Sequence, residues 1–365
     1  MGSDTTYGGY QHSPTYRRIV VSWGGKRRTP SGIDGCSDMG VMQAAQFRRF
    51  GGPEVLEVVT VQRPTPGPGE VLVHVQASAV NPHDTFLRDG TLKMMTGRTF
   101  PMGLGLDFAG EVVSVGTPMG VGSATVGEHV WGMVSPKSKH VTGSAAQYVV
   151  VPADRVAPFP RQLSMVEAAS LVTPGETAVR AVRDVARTKR GDRVLVRGAA
   201  GGVGMIIVQL AHAFGAYVTA LAAADDADFV RSIGADRALD YRVVTAKDLG
   251  RFDVIIDTVG RGKLAYRRLL TRHGRMLTIN FGSGPALASI VASTVFGSRR
   301  IRSFSGYPDR QLLNEVGKYV ESGALRPVVE AVYPLARIAD AHEALATNRR
   351  PGKLVLNTSS AASDG

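Results

Sequence analysis

The chain has 365 residues, is 44% apolar and 20% charged, and carries one cysteine, Cys36. That composition excludes a mainly disordered or fibrous protein, and the single cysteine excludes both an intrachain disulfide scaffold and any four-cysteine zinc site. The formal charge is +12, from 43 Lys+Arg against 31 Asp+Glu, with the cations spread along the chain and no long basic run, a pattern that fits background composition better than a nucleic-acid surface.

In chain order, residues 1–41 read as a tail. They mix Gly, Ser, Thr, Tyr and Arg without a period and hold one short cluster, Lys26-Arg27-Arg28. No apolar core follows positive residues as a secretory signal requires, and Asp4, Asp34 and Asp38 argue against a transit peptide. From Met42 to about residue 170 the chain reads as β-rich. Val71–Ala77, Glu111–Val115, Glu128–Val134 and Ala146–Val151 alternate or run apolar as short strands, separated by turns such as Pro64–Gly69. Short strands between Gly/Pro turns predict a barrel-like domain.

The rhythm changes near residue 171. Strands are predicted at 192–197, 217–221, 237–240, 252–257 and 275–279. Helices are predicted at 203–214, 229–233 and 263–270. Strands alternating with helices predict a doubly wound parallel sheet. The stretch 198–224 lacks charge apart from His212 and exceeds the roughly 18 residues that flag a membrane span. Its glycines and Gln209 fit a buried strand–turn–helix–strand unit better. The chain closes with a helix at 311–322, a strand at 328–333, a helix at 338–345 and a strand at 353–356.

The sharpest motif is Gly198-Ala199-Ala200-Gly201-Gly202-Val203-Gly204, between a predicted strand and a predicted helix. This is the setting a dinucleotide fingerprint requires: bare glycines let the backbone approach a pyrophosphate, and the helix N-terminus attracts its charge. Ala199 stands where the usual pattern has its first glycine. The next strand ends Leu221-Ala222-Ala223-Ala224, so the acid that would hold the 2′-hydroxyl of NAD is missing near Ala222. Asp225 and Asp226 follow at once, and charge alone leaves the coenzyme open. Tyr241 and the arginines Arg349 or Arg350 could meet a 2′-phosphate.

Several further segments occur in order: Phe50–Leu56, Pro66–Val73, Asn81-Pro82-His83-Asp84-Thr85-Phe86-Leu87-Arg88-Asp89-Gly90, Gly105–Val112, Gly234–Asp236, Asp240-Tyr241-Arg242, Tyr333–Leu335 and Gly352–Leu356. Together with the glycine loop, they make residues 42–356 resemble the medium-chain dehydrogenase/reductase superfamily, in its zinc-independent quinone oxidoreductase branch. The resemblance implies an α/β fold with a GroES-like partial β-barrel catalytic domain over 42–170, completed by 308–358. A doubly wound Rossmann domain would occupy 171–307, with the active site in the cleft between them.

The resemblance also implies site residues. Asn81 stands where zinc-dependent relatives place their first cysteine, and Leu106 where they place a histidine, so no metal is expected. Asn81 would lie beside the nicotinamide and the substrate, although an Asn turning the chain before Pro82 is the plainer reading. Thr177 would lie near the nicotinamide, or start a helix. Ala200, Gly201, Gly202, Val203 and Gly204 would hold the pyrophosphate, Tyr241 the adenosine phosphate, and Phe281-Gly282 would flank the nicotinamide. Arg349 is a further coenzyme contact. The lysine that commonly holds the 2′-phosphate reads Asp226. Asn81, Phe86 and Leu92 would line the substrate pocket. Leu92 also replaces the proton-donating tyrosine of enoyl-thioester reductases, which leaves His83 as the candidate donor, with an ordinary surface-loop histidine as its plainer reading.

The expected activity is hydride transfer from NADPH, with NADH possible, to a quinone or an α,β-unsaturated carbonyl. An enoyl-thioester reductase, or a nucleotide- or RNA-binding protein on the same fold, are the alternatives. A small-molecule substrate, no nucleic acid, no membrane, a homodimer and a cytoplasmic location complete the expectation.

Overall fold

Short apolar runs dominate the first part of the chain, and they become strands, several of which bury consecutive residues and so both faces, as at Val71–Val73 and Val149–Val151. The computed structural model describes residues 40–97, 99–117, 124–135, 142–279, 301–304, 306–347 and 350–359; the tail predicted at 1–41 lies almost wholly outside them. The first elements are β1 (Val41–Phe47), β2 (Glu57–Gln62), β3 (Glu70–Ala79), the short helices α1 (Pro82–Arg88) and α2 (Lys93–Thr96), β4 (Met102–Gly103), β5 (Asp107–Val115), β6 (His129–Met133), β7 (Tyr148–Pro152) and β8 (Val156–Pro158).

Residues expected to continue this β-rich pattern past 165 instead form a helix, α3 (Met165–Val179). Its start is written locally. Ser164 and Glu167 make a reciprocal capping box, Glu167 N–H donating to Ser164 Oγ at 3.3 Å and Ser164 N–H to Glu167 Oε2 at 2.9 Å. A Ser-x-x-Glu ahead of an apolar run is a recognised helix start. Because α3 spans residue 170, the expected domain boundary falls inside a helix. Thr177 therefore sits near its end and starts nothing.

The second half alternates as predicted: β9 (Arg193–Arg197), α4 (Gly202–Ala213), β10 (Tyr217–Ala222), α5 (Ala227–Ser232), β11 (Arg237–Asp240), β12 (Phe252–Asp257), α6 (Lys263–Arg267), β13 (Leu270–Thr278) and β14 (Ile301–Arg302). All pairings are parallel, in the order β11-β10-β9-β12-β13-β14. That is a doubly wound sheet whose chain direction switches between β9 and β12, where such folds bind ligands outside the strands' carboxyl ends. The stretch 198–224 resolves into the loop after β9, α4 and β10, and no described helix is long and apolar enough to cross a membrane. α4 stops in a Schellman turn at Gly215 (φ 76°), with Gly215 N–H donating to His212 O and Ala216 N–H to Ala211 O. One boundary differs from expectation: the helix predicted to residue 270 ends at Arg267, and β13 begins at Leu270 by pairing with Phe252 across a bulge.

The chain ends with α7 (Arg310–Glu321), β15 (Val329–Pro334), α8 (Ile338–Thr347) and β16 (Lys353–Asn357). The last strand does not extend the parallel sheet. It pairs antiparallel with β3 (Val355 opposite Ala79) within the order β15-β16-β3-β5-β6-β8, while β7 pairs on β3. The chain end thus returns to the barrel-like half. Beside Leu171 and Val172 of α3, one continuous apolar core joins Ala77, Ala109 and Trp131 of that half to Val194, Ile206 and Leu210 of the other. Leu→Ala or Ile→Ala changes in such a core cost about 2–5 kcal/mol.

Candidate active site

The glycine loop follows from β9 and α4. Gly198 takes φ 72°, a left-handed turn that lets the chain leave the sheet. A Cβ on Gly204 would lie 2.0 Å from Gly198 O, so only glycine lets the first turn of α4 pack on the loop. A Cβ on Gly202 would lie 2.9 Å from Lys353 Cδ. Gly201 caps the helix in extended conformation without a side-chain cap. The first-turn N–H groups of Gly202, Val203 and Gly204 have no acceptor among the described residues. Bare amides at a twelve-residue helix N-terminus, cradled by glycine, fit the pyrophosphate of a dinucleotide.

Two residues at the foot of this loop carried no sequence signal beyond ending apolar strands. Arg197 closes β9 and Asp257 closes β12, and their register places them opposite each other. Arg197 Nη1 donates to Asp257 Oδ1 at 2.8 Å, and both are buried. The guanidinium lies 3.8 Å from the centroid of the Tyr266 ring. Asp257 also accepts from the N–H groups of Val259 and Gly260 and from Thr278 Oγ1. This buried pair fixes the switch-point turn against Gly198.

At the far edge, Ala222 pairs with Asp240, so the next residues, Tyr241 and Arg242, stand beside the end of β10. Tyr241 is exposed, and its N–H donates to Ala222 O. The Arg242 guanidinium lies 5.5 Å from the Tyr241 ring centroid. Burial and the neighbouring Asp225 raise the Asp226 carboxyl, and Arg242 opposes them. Phe281, Gly282 and Arg349 lie outside the described residues.

The other half builds a buried polar cluster from four distant segments. Asn81 ends β3's extension, caps α1 and is 3% exposed. Its N–H donates to Asp84 Oδ2 at 2.8 Å, which makes it the turn-former its position before Pro82 suggested. Its side chain is also fully engaged. Nδ2 donates to Ala79 O at 3.2 Å and to Asp107 Oδ2 at 3.1 Å, and Oδ1 accepts from Lys353 Nζ at 2.6 Å. Lys353 Nζ donates as well to Val80 O at 2.7 Å. Asp107, from β5, accepts from Thr173 Oγ1 at 2.6 Å and from Thr173 N–H at 3.2 Å. Pro174 inside α3 brings no N–H to the helix, and one residue earlier the Thr173 amide serves Asp107.

Burial dominates the electrostatics. It pushes Asp84 up to about 7 against the opposing Asn81 N–H, with Asp107 adding to the rise and Lys353 opposing it. It raises Asp107 against the Lys353 ammonium, and it lowers Lys353 against both carboxylates. Thr177 is buried, and its Oγ1 donates to Glu176 Oε1 at 3.1 Å. Glu176 is pushed up to about 7 by burial, opposed by Arg180, whose Nε lies 2.9 Å from its Oε2.

His83 behaves differently from Asn81. It is partly buried, burial lowers its pKa, and its Nδ1 is buried without a partner among the described residues. With Asp84, Leu87, Thr96, Met102 and Leu106 it lines a cavity of about 170 Å³. Asn81, Phe86 and Leu92 do not line this cavity; Phe86 is 39% exposed on the outer side of α1. Among the described residues, no three His, Cys, Asp or Glu side chains come together as metal ligands. Sequence reasoning missed the joint role of Asp84, Asp107, Thr173 and Lys353, because two strands and two helices far apart in the chain bring the four together.

Comparison with known proteins agrees with this architecture. The family described as "Alcohol dehydrogenase GroES-like domain" matches residues 67–161, and that described as "Zinc-binding dehydrogenase" matches residues 233–356. The chain is 33% identical over 325 residues to 2-methylene-furan-3-one reductase of Solanum lycopersicum, covering 87% of this chain and 79% of that protein. It is 32% identical over 330 residues to quinone oxidoreductase of Sus scrofa, covering 87% and 98%. The solved quinone oxidoreductase from Coxiella burnetii superposes with a TM-score of 0.79 at 29% identity, covering 87% of this chain and 99% of that one.

Proposed function

The chain belongs to the medium-chain dehydrogenase/reductase superfamily, in its quinone oxidoreductase-like branch, and from that premise we propose that it is an NADPH-dependent reductase of quinones and α,β-unsaturated carbonyls that works without zinc. The glycine cradle at the start of α4, with its unpaired first-turn amides, carries the proposal. The similarity to a quinone oxidoreductase and to a reductase of a methylene ketone supports the acceptor class.

When bound, a reduced nicotinamide supplies the hydride. The chain's residues do the rest. Ala200 to Gly204 hold the pyrophosphate by backbone and helix dipole. Thr177 and Asn81 border the ring and fix its position. Tyr241, with Arg242 over its face, receives the 2′-phosphate, a planar cation replacing the lysine whose position reads Asp226. His83 gives the proton that the reduced acceptor takes up, from a ring that belongs to the cavity wall. The donating form is the imidazolium; burial lowers its pKa, so that form is the minor one near pH 7 and is replenished from solvent. Quinones, whose reduction yields a delocalised phenolate, then stand ahead of simple enones.

Zinc chemistry does not suit these side chains. Leu106 offers no donor atom, and the Asn81 oxygen is taken by Lys353. The protein is further proposed to act as a homodimer in the cytoplasm; light scattering tests the assembly.

The test of the activity is loss of reduced-coenzyme absorbance with a panel of quinones, enones and enoyl thioesters, with and without a chelator. Turnover on quinones above enones, unchanged by chelation, is expected. Turnover only on enoyl thioesters, or turnover abolished by chelation, would overturn the proposal.

A further inference from the structure

The buried lysine of β16 belongs to no coenzyme or substrate contact in the reading above, yet it touches both halves of the site. We propose that Lys353 is a positioning residue: its ammonium fixes the orientation of the Asn81 amide, and its stem ties that orientation to the dinucleotide loop. The inference rests on the reductase reading for its functional meaning, while its geometry stands apart from it.

Strand pairing delivers the lysine. Val80 N–H donates to Leu354 O at 2.9 Å, and Lys353 N–H donates to Val328 O at 2.9 Å, so the head of β16 is held on both sides. The side chain is 5% exposed and points inward, where lysine is rarely found unless its charge has partners. Two partners are oxygens, Asn81 Oδ1 at 2.6 Å and Val80 O at 2.7 Å. Asp107 and Asp84 supply the opposing charge.

These contacts allow one orientation of the Asn81 amide. With Oδ1 on the ammonium, Nδ2 reaches Asp107 Oδ2 at 3.1 Å and Ala79 O at 3.2 Å, and every contact pairs a donor with an acceptor. Turned by half a rotation, the amide would set N–H against the ammonium and its oxygen against a carboxylate and a carbonyl. Removing the ammonium removes the shortest and only charge-assisted donor to Oδ1, and leaves the amide held by its two longer Nδ2 contacts alone.

The stem has its own contact. A Cβ on Gly202 would meet Lys353 Cδ at 2.9 Å and Cγ at 3.7 Å, so the methylenes lie against the bare Cα of the phosphate-loop glycine. Gly202 opens α4 as an ordinary helical residue, so space alone makes it a glycine. One side chain therefore braces the loop and aims the amide.

The test uses full-length protein and a double-mutant cycle. Lys353→Met keeps the stem and deletes the charge. It is expected to bind NADPH within about threefold of wild type in a fluorescence titration and to lose about 30-fold or more in kcat, a loss equivalent to roughly 2 kcal/mol. Asn81→Ala should lose a similar factor, and the double variant should lose little more, because the lysine acts through the asparagine. Should Lys353→Met fold poorly, Lys353→Met with Asp84→Asn removes the carboxyl left without its counter-charge, and the same cycle is run in the Asp84→Asn background. A kcat within threefold of wild type, or single losses that multiply in the double variant, would overturn the inference. If wild type turns over no acceptor, the reductase reading fails. Lys353 is then judged by NMR on the coenzyme-free protein, where the Asn81 side-chain amide signals, identified by their loss in Asn81→Ala, must shift in Lys353→Met; unmoved signals would overturn it.

Discussion

The two halves of the molecule build their parts of the site in opposite ways. In the parallel half, 171–307, the coenzyme cradle comes from one unbroken run, strand to loop to helix, and its polar support, Arg197 with Asp257, sits one strand away. The cluster around Asn81 instead takes residues 81–84, 107 and 353 from the other half and Thr173 from α3, the helix that runs between the two. Charge divides along the same line. Residues 171–307 carry 21 Lys+Arg against 11 Asp+Glu, whereas 42–170 and 308–358 together carry 17 against 16. The net +12 therefore belongs mostly to residues 171–307, which hold the glycine loop proposed for an anionic coenzyme, a correction to the view of cations spread evenly along the chain. A local motif needs only backbone and dipole to bind a generic group. A charge-balanced buried cluster fixes side-chain orientation, and it must be assembled by tertiary pairing.

The difference can be broken at its strongest point first. Asp257→Ala leaves Arg197 buried without its partner and should cost about 3–5 kcal/mol in a denaturant titration. A loss under 1 kcal/mol would show that the loop foot is not held by this pair. The second effect belongs to the other half and runs with pH. Asp84 is pushed up to about 7 in the folded state, above its unfolded value near 3.9. The folded protein therefore holds a proton that the unfolded chain has released. Stability from this group is complete below pH ~4 and declines as pH rises towards 7, by up to about 1.4 kcal/mol per pH unit. Asp84→Asn should flatten that decline, measured as the denaturation midpoint across pH 4–8; an unchanged slope would remove Asp84 from the account.

A smaller effect sharpens the role of the basic half. Arg242→Ala should weaken NADPH about fivefold, on the order of 1 kcal/mol for an exposed charge contact, and leave NADH unchanged. Equal weakening of both coenzymes would move Arg242 off the 2′-phosphate. The smallest effect is a control. Arg48 and Glu57 form an ion pair with side chains 66% and 44% exposed, and Glu57→Ala should shift stability by no more than about 0.5 kcal/mol.

The same contrast explains what was legible beforehand. The parallel sheet, α4 and the glycine loop could be read directly, because each is set by local period and by glycine. α3 was missed although Ser164 and Glu167 announced it, since the strand rhythm before it set the expectation. β13 started earlier than predicted because Leu270 pairs with Phe252 ahead of a register break, and Thr271, Arg272 and His273 after it show no apolar period. His83 and Asn81 were singled out in sequence, but the partners that give them character were not. Asp107, Thr173 and Lys353 sit in unremarkable apolar runs, and only the return of β16 onto β3 brings the lysine to the asparagine. No spacing rule encodes a contact between residues separated by 272 positions.

The bare amides at the head of α4 are proposed to bind a reduced nicotinamide dinucleotide. Titration of the purified protein with NADPH and with NADH, followed by coenzyme fluorescence, tests it most directly. Saturable binding of NADPH, tighter than NADH and abolished when Gly202 is changed to Asp, is the predicted result; no binding of either coenzyme would contradict the account.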